Sequence, residues 1–273
     1  MRPASPRVRA LQAVMLRLTV DPRFCHRIYH KDDLSIELPD GRYTLTADDI
    51  EMVRAVDQRA WTTDRFRRAR LTQALIEEYL LTTALVGVPE VDAFFGTEAF
   101  AWVLTHRGSM AEGFGDWITE RAAPGARPFA RLEAAVVRTR RGHRESGPGL
   151  VTAPGKEGVQ LPEGTLAHWQ AGLASLGENA LESVAQGARW QAPSQGRGRE
   201  HLLVDRQDGG GLGVHVLSAG VVGLLELCRT PRRRSEVGRA ARRLKVPKKQ
   251  VAGMIRRMLD EGLLLERLSP SEA

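Results

Sequence analysis

The chain has 273 residues, 42% hydrophobic and 27% charged, enough for two ordinary domains that each bury a core. No stretch approaches the ~18 consecutive apolar residues of a membrane-spanning helix, and the basic start, Met1 to Arg9, leads into Leu11–Val20, which Gln12, Arg17 and Thr19 interrupt, so it does not read as a signal peptide. Two distant cysteines, Cys25 and Cys228, argue against a disulfide framework and fit a reducing cytoplasm.

The first half reads as helical. Leu11, Val14, Met15 and Leu18 recur at the spacing of one helix face. Thr46 followed by Asp49 is a capping signal that opens a helix near Ala47, with Ile50, Val53 and Val56 inward. Between the two, Leu34–Leu45 is at most extended, with a turn at Asp40-Gly41. Thr63 and Asp64 open another helix, carrying Leu71, Ala74, Leu75 and Tyr79 on one face. Phe94, Phe95, Phe100 and Trp102 predict the densest core of this half. Further helices run over Ala111–Glu120 and from about Pro128, with Leu132, Ala135 and Val136 inward. These segments predict a helical domain over residues 1–140.

Residues 141–164 are rich in glycine and proline and read as a linker. Residues 165–198 read as a helical connector. From 199 to 270 the pattern is more definite. His201–Arg206 and Leu212–Leu217 are strand-like and flank the glycine turn at Asp208–Gly211. Three helices follow, with Val221, Leu224, Leu225 and Cys228 on the first, Val237, Ala240, Ala241 and Leu244 on the second, and Val251, Ile255, Met258 and Leu259 on the third. Ser235 is an N-cap for the second, Pro247 sits in the first turn of the third, and Gly262 ends it. Leu263–Leu268 is a closing strand. The expected fold is mainly α with a small β component: an N-terminal helical domain and a C-terminal winged helix-turn-helix.

The search for catalytic motifs is negative. There is no phosphate loop, nucleophile elbow or H-E-x-x-H zinc helix, and the glycines at 209–213 lie in a hairpin, not between strand and helix. Cys25, His26 and His30 have helical metal-ligand spacing but no fourth ligand nearby, so exposed imidazoles are the simpler reading. His201 and His215 lie on the two arms of the hairpin, where a surface cross-strand pair is expected.

Net charge is +7, but Arg229–Lys249 holds ten Lys/Arg against Glu236 alone, so this segment carries +9 and the rest of the chain −2. Such a local patch has three readings: a solvated helix face; a nucleic-acid surface, with Lys248, Lys249, Arg256 and Arg257 near the third helix meeting phosphates; or a surface for an acidic peptide added as a strand beside Leu212–Leu217.

Two resemblances sharpen these readings. GVHVLS (213–218), GLLELCRTPRRRSEVGRAARRL (223–244) and VAGMIRRMLDEGLLL (251–265) resemble the PqqD-like winged helix that recognises precursor peptides during ribosomal-peptide maturation. LQAVMLRLTVDPRFCHRIY, LTADDIEMV, DAFFGTEAFAWVLTHRG and FARLEAAVVRTRR resemble the partner subunits of multinuclear non-heme iron oxidative enzymes. The resemblance implies a non-catalytic subunit that forms a heterodimer with the iron enzyme and presents the leader of a precursor peptide. The iron would lie in the partner, with no cofactor in this chain. By that analogy Gly213, Val214, His215 and Val216 would pair with the peptide backbone, Gly213 allowing close approach, and Lys248, Lys249 and Arg256 would meet acidic leader side chains. The long Gly/Pro segment and the dense arginine run depart from the pattern, and the second keeps nucleic acid as an alternative partner.

Overall fold

The computed structural model describes residues 5–31, 45–62, 66–106, 108–142 and 147–267. Expectations for 34–44 and for the helix start at Thr63 and Asp64 fall outside them. In chain order the helices of the first stretch are α1 (Pro6–Val20), α2 (Pro22–His30), α3 (Ala47–Arg54), α4 (Gln58–Thr62), α5 (Arg67–Glu78), α6 (Leu80–Val86), α7 (Val88–Ala93), α8 (Glu98–His106) and α9 (Met110–Arg121). The rest runs α10 (Arg127–Arg141), β1 (Gly149–Thr152), β2 (Lys156–Pro162), α11 (Thr165–Leu176), α12 (Ala180–Ala185), β3 (Arg199–Arg206), β4 (Leu212–Val216), α13 (Ala219–Leu227), α14 (Arg234–Arg243), α15 (Lys248–Asp260) and β5 (Leu264–Arg267). The chain is mainly helical with a small β component. Among the described residues, no helix is long and apolar enough to cross a membrane.

Two compact units form, Met1–Ala123 with Ser175–Gln191, and Pro124–Ala174 with Ala192–Ala273. In the first, α3 opens with the expected capping box: Thr46 Oγ1 accepts from the Asp49 amide at 3.2 Å, and the Asp49 carboxylate accepts from the Thr46 amide at 3.1 Å. One cluster gathers Val14 and Leu18 of α1, Phe24, Cys25 and Ile28 of α2, and Ile50 and Val53 of α3. Phe94 packs edge-on with Phe100 and Phe114, and Phe95 edge-on with Phe100. Three expectations are corrected. Val56 lies past the end of α3 and is exposed, Ala74 faces solvent while Thr72 and Ile76 turn inward, and Trp102 is 49% exposed, stacked on His106 with centroids 4.1 Å apart. Burial pushes the Cys25 thiol above its ordinary range.

The second unit overturns the expected linker over 141–164. Among its described residues are two strands with buried side chains, Leu150 and Val151 on β1 and Val159 and Leu161 on β2. The helical-domain boundary at 140 moves as well. The face of α10 carrying Leu132, Ala135 and Val136 packs on Val159, Leu161, Leu202 and Val204 of a three-stranded sheet ordered β2-β3-β4. The connector expected over 165–198 is also divided, 175–191 joining the first unit.

That sheet is antiparallel throughout, with Val159 opposite Leu202 and Val204 opposite Val214. Helix α13 covers its other face. It approaches closely because β2 carries Gly158, where a Cβ would sit 2.8 Å from Leu225 Cβ and 3.0 Å from the Val222 carbonyl. Gly158→Ala is therefore expected to cost roughly 1–3 kcal/mol through overpacking, read as a lowered urea midpoint.

The expected closing strand, β5, pairs with β1 and not with the hairpin. β1 is also bonded on its other side by reciprocal Leu150–Arg232 backbone hydrogen bonds of 2.8 and 2.9 Å. Gly149 has φ +119, and its missing Cβ would stand 2.5 Å from the Arg232 carbonyl. This glycine serves close packing.

Behind β1, Cys228 is buried and its thiol is pushed up from 9.0 to about 11 by desolvation, which Arg232 opposes. The folded chain therefore keeps a proton that the unfolded chain releases above pH 9.0. That contribution to stability is complete below the ordinary thiol value and is lost as pH rises towards about 11. The difference in urea midpoint between the native chain and Cys228→Ala should shrink over that window.

Candidate functional site

The two outer edges of the β2-β3-β4 sheet are treated differently. Antiparallel strands send alternate residues' backbone groups to opposite sides. The Arg206 amide donates to the Gly155 carbonyl at 2.7 Å, so the odd-numbered residues of β2 face β3, and Gly158 and Gln160 face outward. One outward group of each residue is met by a side chain from the end of α13 or just beyond it. Arg229 Nη2 donates to the Gly158 carbonyl at 3.0 Å, and the Gln160 amide donates to Glu226 Oε1 at 3.2 Å. Arg131 of α10 donates to the same carboxylate oxygen at 3.3 Å. The β2 edge is thus closed to another strand.

The β4 edge is not closed in this way. The Leu217 amide donates to the His201 carbonyl at 2.9 Å, and the Gln207 amide donates to the Gly211 carbonyl at 2.9 Å. With the register of β3 and β4, these bonds point the backbones of Gly213 and His215 at β3 and those of Val214 and Val216 outward. Among the described residues, no group bonds to the outward amides and carbonyls of Val214 and Val216. Val214 is half-buried against the α10 face of the sheet, while Val216 is 72% exposed.

These positions refine the four hairpin residues singled out in the sequence. Val214 and Val216 present free edge groups, whereas His215 spends its backbone bonds on β3. Its ring meets Asp205 Oδ1 at 3.1 Å and not His201, which stands opposite Leu217 in the ladder. Gly213 does not leave space for a ligand. A Cβ there would fall within 2.4 Å of Asp205 Oδ1 and 2.6 Å of His215 Nε2, so the room over Gly213 is taken by the chain's own side chains.

Just beyond β4, a groove of about 570 Å³ opens between the Leu217–Val221 segment and α15. Val221, Met254, Met258 and Leu263 make it apolar, with Gln250 and Arg257 at its margin. Gly253 of α15 also lines it, with nothing within 4 Å of where its Cβ would be. Of the basic residues named from sequence, Lys249 and Arg256 are exposed on α15 outside this groove, and Lys248 lines a different one, between α14 and α15. The residues missed are Gln250 and Met254, which line this groove with Arg257, named from sequence only as a phosphate contact. The three recur at i, i+4 and i+7, one step round the helix from the inward set.

The basic run does not form a single patch. Arg229 is drawn inward to pair with Glu157, a fully buried carboxylate on β2 that also accepts from Arg138 Nε at 3.0 Å. Burial lowers the Arg229 pKa from the ordinary guanidinium value, and the neighbouring Glu157 opposes that shift. Arg234 pairs with Glu266 at 3.1 Å. The cations from Arg239 to Lys249 (Arg239, Arg242, Arg243, Lys245, Lys248 and Lys249) stay exposed.

His26 and His30 do share a face of α2, with ring centroids 4.5 Å apart, but Cys25 is turned into the core. Among the described residues, no group of three His, Cys, Asp or Glu side chains is placed to hold a metal ion.

No model of a known protein family matches the sequence, and no curated protein matches it significantly.

Proposed function

We propose that this chain is a peptide-binding subunit in which Val214 and Val216 receive a precursor-peptide segment as a fourth strand of the β2-β3-β4 sheet. The observation that carries the reading is the contrast between the two edges. Bare strand edges recruit other chains and are ordinarily blocked; here Arg229 and Glu226 block one and the other is left unblocked. Strand addition draws affinity from the main chain and specificity from neighbouring side-chain pockets, and the groove at Leu217–Val221 and α15 supplies such a pocket. On this reading β3, β4 and α13–α15 form a winged helix-turn-helix used as a peptide-recognition element.

The wider role follows from the resemblance of the N-terminal segments. The chain is an accessory, non-catalytic subunit that docks on a multinuclear non-heme iron oxidative enzyme and presents the leader of a ribosomally made precursor. The iron and the oxidation belong to that partner. Met15 and Leu16 of α1 and Trp102 of α8, all exposed, offer apolar surface on the first unit for such docking.

The exposed cations between Arg239 and Lys249 favour a second reading, a winged-helix DNA-binding regulator. A tagged pull-down from the native host separates the two, with one sample treated with nuclease and analysed by mass spectrometry and an untreated sample stained for nucleic acid. Stoichiometric recovery of an iron-dependent oxidase, with a small peptide, is the expected result. Salt-sensitive nucleic acid without a stoichiometric protein would overturn the subunit reading.

A further inference from the structure

A second groove, of about 620 Å³, lies between α14 and α15. Its floor is apolar, built from Val251, Ala252, Ile255 and the bare backbone of Gly238, and its rim is cationic, with Arg239, Arg242 and Lys248 exposed along it. Arg234 also lines it but is engaged with Glu266. Among the described residues, no carboxylate lines the groove or pairs with Arg239, Arg242 or Lys248. Gly238 stands in the middle of α14, where glycine costs about 1 kcal/mol relative to alanine. Packing does not require it, because a Cβ there would meet nothing closer than Val251 Cγ1 at 4.0 Å. Its effect is to deepen the groove.

We infer that this groove docks an acidic amphipathic helix of a protein partner, on a surface separate from the β4 edge. The walls are two helices, and α14, at ten residues, runs roughly 15 Å, matching about three turns of an incoming helix. Aliphatic residues at i, i+3, i+4 and i+7 of the incoming helix would rest on Val251 and Ile255, and glutamates on its flanks would face the arginines and Lys248. The apolar floor decides against nucleic acid as the occupant. A phosphodiester backbone would use the rim cations but leave the floor unfilled, whereas an amphipathic helix uses both.

The test is fluorescence anisotropy on the full chain with a labelled synthetic helix bearing leucine at i, i+3, i+4 and i+7 and glutamate elsewhere. Saturable binding is expected, weakened at least about tenfold by Gly238→Glu, which places a like charge in the floor. The substitution replaces glycine by a better helix former in open space, so the fold is kept, and circular dichroism verifies it. The double substitution Arg239→Ala, Arg242→Ala should weaken binding similarly and reduce its salt dependence. Val216→Pro, which blocks the β4 edge, should leave it unchanged, so failure of this inference is distinct from failure of the strand-addition reading. Equal binding of a control helix with lysine in place of glutamate, indifference to Gly238→Glu, or displacement of the helix by duplex DNA together with tighter binding of the duplex would overturn it.

Discussion

Glu157→Gln should destabilise the second unit by roughly 3–5 kcal/mol, the usual consequence of removing one member of a buried ionic cluster. Small domains are held by only about 5–15 kcal/mol, so the loss is a large share of the whole. Glutamine keeps the shape of the side chain and removes the charge. Arg138 from α10 and Arg229 from beyond α13, which meet at the same Glu157 oxygen, are then left side by side without their common counter-ion. Neither arginine can shed its proton cheaply, even though burial lowers the Arg229 pKa. Arg229 also blocks the β2 edge by bonding the Gly158 carbonyl. Loosening it opens a second bare edge, so the variant should aggregate as well as unfold. Urea denaturation followed by circular dichroism, with light scattering on the folded sample, measures both. An unchanged midpoint would show that the cluster contributes nothing net.

Val216→Pro should abolish peptide binding while leaving the fold almost intact, and His215→Pro, one residue away, should disrupt the hairpin. Proline removes an amide donor. At 216 that amide points to the open edge and serves no internal bond, and proline is tolerated on edge strands in this orientation. At 215 the amide belongs to the ladder with Leu203, so its loss breaks the sheet. Val216 is 72% exposed, so little packing is lost with its side chain. Thermal melting of both variants, beside recovery of the peptide in the pull-down, reads the contrast. Peptide retained by Val216→Pro would place the binding surface elsewhere.

Helices with one apolar stripe and a chemical start signal were legible in the sequence. Thr46 and Asp49 announced α3 because the capping box is local chemistry, and the inward faces of α13 to α15 follow from their 3.6-residue period. The hairpin was legible from its glycine turn. The strands β1 and β2 were not, because glycine and proline in 141–164 suggested flexibility while Gly149 and Gly158 serve close packing against Arg232 and α13. The alternation of Val159 and Leu161 was the available signal, masked by its setting. Placing α10 with the first half failed for a different reason: an apolar face does not say which partner it covers, and here it covers a sheet whose strands come from both sides of α11. At the proposed site, the sequence singled out β4 but not the parity of its residues. Which of Val214, His215 and Val216 turn their amides outward depends on the β3 register, and Arg229, counted in the basic run, is drawn to Glu157 and Gly158 of β2 by contacts that composition does not show.

The most direct test of strand addition is residue-resolved amide hydrogen exchange on the free chain and on its complex with the co-purified peptide. In the free chain Gly213 and His215, bonded to β3, should exchange slowly and Val214 and Val216 fast. In the complex Val214 and Val216 should become protected, with little change at Gly213 and His215. Protection confined to α14 and α15, with Val214 and Val216 still exchanging freely, would contradict the account.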